Sequence, residues 1–209
     1  MSTPIPDRDH LNRYLAIAIA ALTIASRTLT TAHGPHLITE KTDRDLVTDT
    51  DLRVQQAVLH YLSTATPDAV FLGEEQTETA EGDLTPIVPA EFPHAELAWV
   101  LDPIDGTSNY THGIPLHAIS LALAHFGEPV VAVTRIPTLD STYHAIHGGG
   151  AFHNNQPIQV RNTVDLRHSI ISINDYATGP GAENKNRRRL AITKALIPTV
   201  ERIRMFGAA

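Results

Sequence analysis

The 209-residue chain contains no cysteine, and this absence narrows the chemistry available to it. Disulfide frameworks, cysteine-ligated zinc, iron–sulfur clusters and a cysteine nucleophile are all excluded. Positive charge is also scarce, because 16 Lys and Arg stand against 23 Asp and Glu, a formal net charge of -7. Binding along a phosphate backbone requires clustered Lys and Arg, so we expect no nucleic acid as a partner.

A long hydrophobic run is missing as well. The most apolar stretch, Leu15–Ala25, is shorter than the roughly 18–20 residues that a helix needs to cross a bilayer. A secretory signal would need a net-positive segment before this run, but the two basic residues there are balanced by two acidic ones. We therefore expect a buried amphipathic helix, no membrane partner and a cytoplasmic protein.

Two helices are predicted for the first third of the chain. Leucine and alanine recur at steps of three and four over residues 9–33, which is the spacing of one buried helix face. Gly34 and Pro35 follow and should end this helix. A second helix should begin near Thr48, because Thr48 and Asp51 fit the pattern of a capping box.

The remainder of the chain favours strands, followed by a strand–helix–strand segment. Short apolar runs separated by Gly, Pro and Asn residues predict an antiparallel meander. The runs are Ala118–Phe126, Val130–Ile136, Ser141–His147 and Ala151–Val160, and two further predicted strands, Ala69–Leu72 and Leu97–Leu101, precede them. A strand at Ser169–Ile173, a helix at Glu183–Leu196 and a strand at Val200–Met205 should follow. These patterns divide the chain into a domain of residues 1–165 and the start of a second at 166–209.

Two of the predicted strands end in acidic residues. Glu74 follows the run Ala69–Leu72, and Asp102 and Asp105 follow the run Leu97–Leu101. If the two strands are neighbours in one sheet, the three carboxylates converge at a common end, where they would repel one another without a cation. Carboxylate oxygens are hard ligands that suit Mg²⁺. The sequence therefore predicts a magnesium site at this end of the sheet.

The residues after Asp105 predict an anion site beside these acids. Gly106, Thr107 and Ser108 stand at an apparent helix start, where backbone N–H groups are available to a phosphate. A metal ion next to a phosphate cradle is what phosphate-ester hydrolysis needs. Each short pattern alone also fits an ordinary turn with solvated acids, and only their combination favours a catalytic site.

Three segments together resemble the inositol monophosphatase family. Residues 102–110 match the family pattern Asp-Pro-[Ile/Leu]-Asp-Gly-Thr-x-Asn-[Phe/Tyr] in full, residues 73–75 match its Gly-Glu-Glu, and residues 45–51 match its Asp-Leu-Val-Thr-x-x-Asp. The order of the segments is also that of the family, and the resemblance covers nearly the whole chain. It implies an α/β fold, a layered αβαβα-type sandwich with an incomplete second domain.

The resemblance also implies roles for individual residues. The positions that match metal ligands are Glu74, Asp102, the backbone carbonyl of Ile104, and Asp105. The positions that match catalytic residues are Thr107, which orients the attacking water, together with Glu74, and Asp51, which supports Thr107. The positions that match substrate contacts are Asp105, Gly106, Thr107, Gly207 and Ala208. The implied cofactor is Mg²⁺, and the implied partner is a small phosphorylated substrate; the resemblance also allows a homodimer.

The sequence departs from the family pattern at its end. The family has a Trp-Asp motif whose Asp is a further metal ligand, but the only tryptophan here, Trp99, precedes Val100. Residues 207–209 match a family turn, with Ala208 in place of the usual hydroxyl residue. We therefore expect a family member cut short within its second domain, and a weaker catalyst and poorer folder than a longer relative.

The sequence alone is compatible with several functions. The resemblance favours hydrolysis of inositol monophosphate by a metal-activated water. Histidinol phosphate, fructose 1,6-bisphosphate and a 3′-phosphonucleotide are alternative substrates for the same chemistry. A non-catalytic remnant, which keeps half of the site and binds a metal or a partner without turnover, is the alternative from another class.

Overall fold

The structure is a computed structural model that describes residues 5–31, 38–42, 45–75, 85–86 and 90–208. Its helices are α1 (Arg8–Thr31), α2 (Asp49–Ala65), the short α3 (Thr107–Thr111) and α4 (Ala182–Leu196). Its strands are β1 (Ile38–Thr42), β2 (Asp45–Thr48), β3 (Val70–Gly73), β4 (Thr85–Pro86), β5 (Leu97–Asp105), β6 (Ala118–His125), β7 (Glu128–Ile136), β8 (Ser141–Ile146), β9 (Gly150–His153), β10 (Gln156–Ile158), β11 (Ile170–Ser172) and β12 (Arg202–Arg204).

The predicted first helix is confirmed, with its apolar face buried as the spacing requires. Leu11, Ala18, Leu22, Ala25 and Leu29 are all buried, and α1 packs against α2 and against strands β6 to β8. The predicted stop at residues 34–35 lies outside the described residues. By length and composition alone α1 is long and apolar enough to cross a membrane, a test that core helices of soluble proteins and signal sequences also pass. Because one face of α1 packs against α2 and the central sheet, this finding does not overturn the expectation of an amphipathic helix.

The second helix begins with the predicted capping box. The Thr48 hydroxyl accepts hydrogen bonds from the backbone N–H groups of Thr50 and Asp51, and the Asp51 carboxylate accepts one from the Thr48 backbone. These contacts satisfy N–H groups that the first turn of a helix leaves without partners. The start of α2 is therefore fixed by local chemistry, and Asp51 is fixed with it.

An eight-stranded sheet forms the centre of the molecule, in the order β10-β9-β8-β7-β6-β5-β3-β4. Strands β5 to β10 are antiparallel, which confirms the predicted meander, and β3 runs parallel to both β5 and β4. The core lies between this sheet and the two long helices and includes Leu22, Val58, Trp99 and Leu121. The fold is thus α/β, as expected.

The last 40 residues form the predicted strand–helix–strand segment. Strands β11 and β12 pair with each other in parallel, and α4 lies between them in the chain. No residue of α4 is buried, and Leu190, Ile192 and Ile197 are exposed. The division into two domains at residue 165 stays a prediction.

Candidate active site

Strands β3 and β5 lie side by side, which is the condition for their acidic ends to converge. They pair in parallel with Gly73 opposite Leu101, and the Glu74 N–H donates to the Leu101 carbonyl at 3.1 Å. Glu74 therefore leaves β3 at the level where Asp102 continues β5. The sheet brings these two predicted ligands to one edge because both strands run in the same direction.

A β-bulge directs the end of β5. Asp102 pairs with Ser120 and Asp105 pairs with Ala118, so three steps on β5 oppose two on β6. One extra residue is thereby accommodated, and bulges of this kind change the direction of side chains beside functional sites. The Ile104 side chain is buried in the core, while its carbonyl, a predicted metal ligand, accepts a hydrogen bond from the Thr107 hydroxyl at 3.0 Å.

The Asp102 carboxyl carries the clearest electrostatic signal of the site. Burial, together with the negative charges of Glu74 and Asp105, raises its pKa from 3.8 to about 7. Its Oδ1 atom is buried and has no hydrogen-bond partner among the described residues. A carboxylate that buries one oxygen without a hydrogen-bond partner, beside two other acids, is costly unless it is protonated or meets a cation.

Asp51 contributes a second buried carboxylate. Burial raises its pKa, against the hydrogen bonds from Thr48 that lower it, and the charge of Glu74 raises it further. Its Oδ2 is occupied by the backbone and hydroxyl of Thr48, while its Oδ1 is buried without a hydrogen-bond partner in the described part of the chain. The Thr107 hydroxyl donates to Ile104 rather than to Asp51. The supporting role expected of Asp51 toward Thr107 therefore stays a prediction.

The donor set fits a hard divalent cation. Among the described residues, the buried oxygens Asp102 Oδ1 and Asp51 Oδ1 have no hydrogen-bond partner, and the nearby charges of Glu74 and Asp105 raise the pKa of Asp102, so negative charge is concentrated here. The described residues contain no group of three or more His, Cys, Asp or Glu side chains already gathered around one metal position. The charge imbalance is the stronger indication, because carboxylates that repel one another close around a metal only when it is present.

The predicted phosphate turn lies directly against the predicted substrate turn. Gly106 precedes α3 with a φ of 90°, and a Cβ at this position would lie 2.8 Å from the Cβ of Ala208. Asn109 holds the two turns together, because its Nδ2 donates to the carbonyls of Leu116 and Phe206, each at 2.7 Å. Only glycine fits at position 106, for both its backbone conformation and the space available.

A cavity of about 390 Å³ opens beside these turns. It is lined by Asp105, Asn174, Asp175, Gly207 and Ala208, three of which the sequence had identified as candidates. Asn174 and Asp175 were missed. They directly follow the apolar run Ser169–Ile173, so the reasoning applied to Glu74 and Asp102, polar residues at a strand end, would have found them.

The family assignment follows from comparison with known proteins. The model of the inositol monophosphatase family matches residues 10–209, nearly the entire chain. The chain belongs to the inositol monophosphatase family. Within this family the site described above lies on the segments that carried the resemblance, the ends of β3 and β5 and the turn into α3.

Individual inositol monophosphatase relatives match over different lengths. An inositol monophosphatase of Dictyostelium discoideum is 42% identical over 130 residues, which cover 62% of this chain and 44% of the relative. The inositol-1-monophosphatase ImpA of Mycolicibacterium smegmatis is 33% identical over 202 residues, 97% of this chain and 68% of the relative. The solved structure of the extragenic suppressor protein suhB from Bartonella henselae superposes with a TM-score of 0.80 at 27% identity, covering 94% of this chain and 71% of that one. The chain thus spans about half to two thirds of the length of its curated relatives.

Proposed function

We propose that the protein hydrolyses a phosphate monoester with Mg²⁺, and that inositol monophosphate is its substrate. The observation that carries the proposal is the Asp102 carboxylate, whose buried Oδ1 has no hydrogen-bond partner among the described residues and whose pKa is raised by burial and by the charges of Glu74 and Asp105. Asp105 in turn lines the cavity. We further propose a cytoplasmic location; a homodimer stays a prediction.

Four groups would hold the metal ion: the carboxylates of Glu74, Asp102 and Asp105 and the carbonyl of Ile104. When bound, Mg²⁺ supplies positive charge to the phosphoryl oxygens and makes the attacking water more acidic. Thr107 orients that water through its hydroxyl, which the structure places within hydrogen-bond reach of the Ile104 carbonyl. Gly106, without a side chain, lets the phosphate approach the backbone of the turn.

The cavity favours a substrate rich in hydroxyl groups. Asp105 and Asp175 supply carboxylates and Asn174 supplies an amide, so most of the polar groups accept hydrogen bonds. Hydroxyl groups of a polyol can donate to these acceptors, whereas a second phosphate would be repelled by the carboxylates. This chemistry supports inositol monophosphate over fructose 1,6-bisphosphate.

The test is release of inorganic phosphate by the purified chain. We expect Mg²⁺-dependent hydrolysis of inositol 1-phosphate, and slower hydrolysis of fructose 1,6-bisphosphate, histidinol phosphate and a 3′-phosphonucleotide. The Asp102→Asn variant should lose the activity. Equal phosphate release with and without Mg²⁺, or by both proteins, would refute the proposal.

A second candidate is the non-catalytic remnant. The observation in its favour is that the described residues contain no group of three or more His, Cys, Asp or Glu side chains already gathered around one metal position. A protein that binds Mg²⁺ in calorimetry but releases no phosphate from any of the four esters would support this reading.

A further inference from the structure

Gln55 forms a buried link between α2 and the end of β3. Its Nε2 donates to the Glu75 carbonyl at 2.7 Å, and the Glu75 N–H donates back to its Oε1 at 3.2 Å. Gln55 is only 1% exposed and Glu75 8% exposed, so both bonds are shielded from water. The side-chain amide thus takes the place of a neighbouring strand for one residue.

The backbone on both sides of the Glu74 side chain is therefore held. The Glu74 N–H is bound to Leu101 of β5 at 3.1 Å, and the next residue is bound twice to Gln55. With the backbone fixed at these points, the direction of the Glu74 side chain depends mainly on its own torsion angles. A ligand held in this way loses less entropy when it binds.

Gly73 provides an independent sign that the position of Gln55 is built into the fold. A Cβ on Gly73 would lie 2.3 Å from Gln55 Oε1 and 2.6 Å from its Cδ. Gly73 lies in a regular strand, and the space that a side chain would need there is taken by the Gln55 amide and by Phe71 Cε1 at 2.9 Å. Gln55 lies one helical turn after Asp51, so both residues lie on the same face of α2, the face toward the end of β3.

We propose that Gln55 is a positioning residue for the metal site, which sets the direction of Glu74 without touching the metal or the substrate. The inference rests on the proposed function, since it concerns the ligand set of that site. Glutamine is suited to this role because it offers one donor and one acceptor at the same reach. Glutamate would set a carboxylate against the Glu75 carbonyl, and methionine would offer neither bond.

The test compares Gln55→Met with a control variant at another buried residue. Methionine keeps the volume and removes both hydrogen bonds. The control is Thr66→Val, which removes the hydroxyl that accepts the buried 2.9 Å hydrogen bond from Trp99 Nε1. Both variants should unfold at lower temperature. We expect Mg²⁺ affinity, measured by calorimetry on the full chain, to fall about 10–100-fold in Gln55→Met, the usual effect of losing an outer-shell partner. Thr66→Val should bind Mg²⁺ as the wild type does.

Gly73→Ala is the second variant, in case Gln55→Met does not fold. The added methyl group must displace the Gln55 amide, so Mg²⁺ affinity should fall here too, and amide hydrogen exchange at Glu75 should become faster. In a double mutant the two losses should be less than additive, because both act on one contact.

The outcomes separate this inference from the proposed function. If the wild type and Gln55→Met bind Mg²⁺ equally while only the melting temperature falls, Gln55 is a structural residue and the inference is wrong. An equal loss of affinity in Thr66→Val would also overturn it, since general destabilisation would then explain the result. A wild type that binds Mg²⁺ but hydrolyses none of the esters refutes the proposed function and leaves this inference standing. Absence of Mg²⁺ binding in the wild type refutes both.

Discussion

At the scale of single residues, the site is defined by a concentration of negative charge. Asp102 is held in a partly buried position next to two other acids, and one of its oxygens has no hydrogen-bond partner among the described residues. Natural proteins retain such unfavourable groups mainly where a function requires them. Stability and metal binding should therefore respond in opposite directions when this charge is removed.

Asp102→Asn should stabilise the metal-free protein at pH 8 by about 1–3 kcal/mol, the usual cost of an unpaired buried polar group. The pKa of Asp102 is raised from 3.8 to about 7 in the folded protein, so the unfolded chain loses this proton first. Stability of the metal-free wild type should fall as the pH rises from about 4 to about 7. Denaturant unfolding at pH 4 and pH 8 measures this difference.

Mg²⁺ should reverse this order of stabilities. The wild type should gain stability with added Mg²⁺ as the logarithm of one plus the ratio of Mg²⁺ concentration to dissociation constant, whereas the Asn variant should gain little. If Mg²⁺ raises the unfolding midpoint of both proteins equally, Asp102 is not a ligand.

Thr107→Ala should lower kcat about 10²–10⁴-fold with little change in KM, the range expected for loss of a group that assists proton transfer or orients a reacting water. Thr111→Ala is a matched control. Thr111 and Thr107 lie in the same short helix, and each hydroxyl donates at 3.0 Å to the carbonyl three residues earlier. An unchanged kcat in Thr107→Ala, or an equal loss in both variants, would exclude Thr107 from the mechanism.

At the scale of elements, helix ends and strand ends position the site. The capping box fixes Asp51 at the start of α2, parallel pairing sets β3 beside β5, and the bulge in β5 redirects the chain between Asp102 and Asp105. The capping box is a local feature with a known energetic contribution, so it can be tested separately from the metal site.

Thr48→Ala should reduce the free energy of unfolding by about 1–2 kcal/mol, the typical cost of losing a helix N-cap. The Thr48 hydroxyl accepts bonds from the backbone of α2 and donates to the Asp51 carboxylate at 2.5 Å. Thr48→Ser keeps the hydroxyl and should remain close to the wild type. Urea unfolding of the three proteins measures the effect, and equal losses in both variants would show that the methyl group matters rather than the cap.

At the scale of the whole molecule, the first and last parts of the described chain differ in how much of their apolar surface is packed against other elements. The eight-stranded sheet is packed against α1 and α2, whereas β12 pairs only with β11 within the described residues and α4 buries no side chain. Leu190 in α4 and Ile197, the residue that caps the end of α4, are 54% and 66% exposed and lie seven residues apart, the spacing of one helix face. Exposed apolar surface of this kind favours association.

The purified chain should therefore form oligomers or aggregates as its concentration rises. The double variant Leu190→Lys with Ile197→Lys should shift the chain toward the monomer. Val160→Lys is the control, because Val160 is 97% exposed but lies outside α4. Analytical ultracentrifugation distinguishes the proteins. A wild type that stays monomeric at all concentrations would contradict the prediction, as would an equal effect of the control.

The sequence alone determined the local features of this protein. The helical spacing of α1, the capping box at Thr48 and the turn residues of the meander each depend on neighbours within a few positions, so they are readable from the chain. The pattern from Asp102 to Tyr110 identified the family for the same reason. Tertiary structure decided which strand ends meet. Glu74 and Asp102 are 28 positions apart, and only the parallel pairing of β3 with β5 places them together. The contacts of Gln55 with Glu75 likewise join residues 20 positions apart, and a glutamine inside a helix carries no local signal until the chain has folded around it.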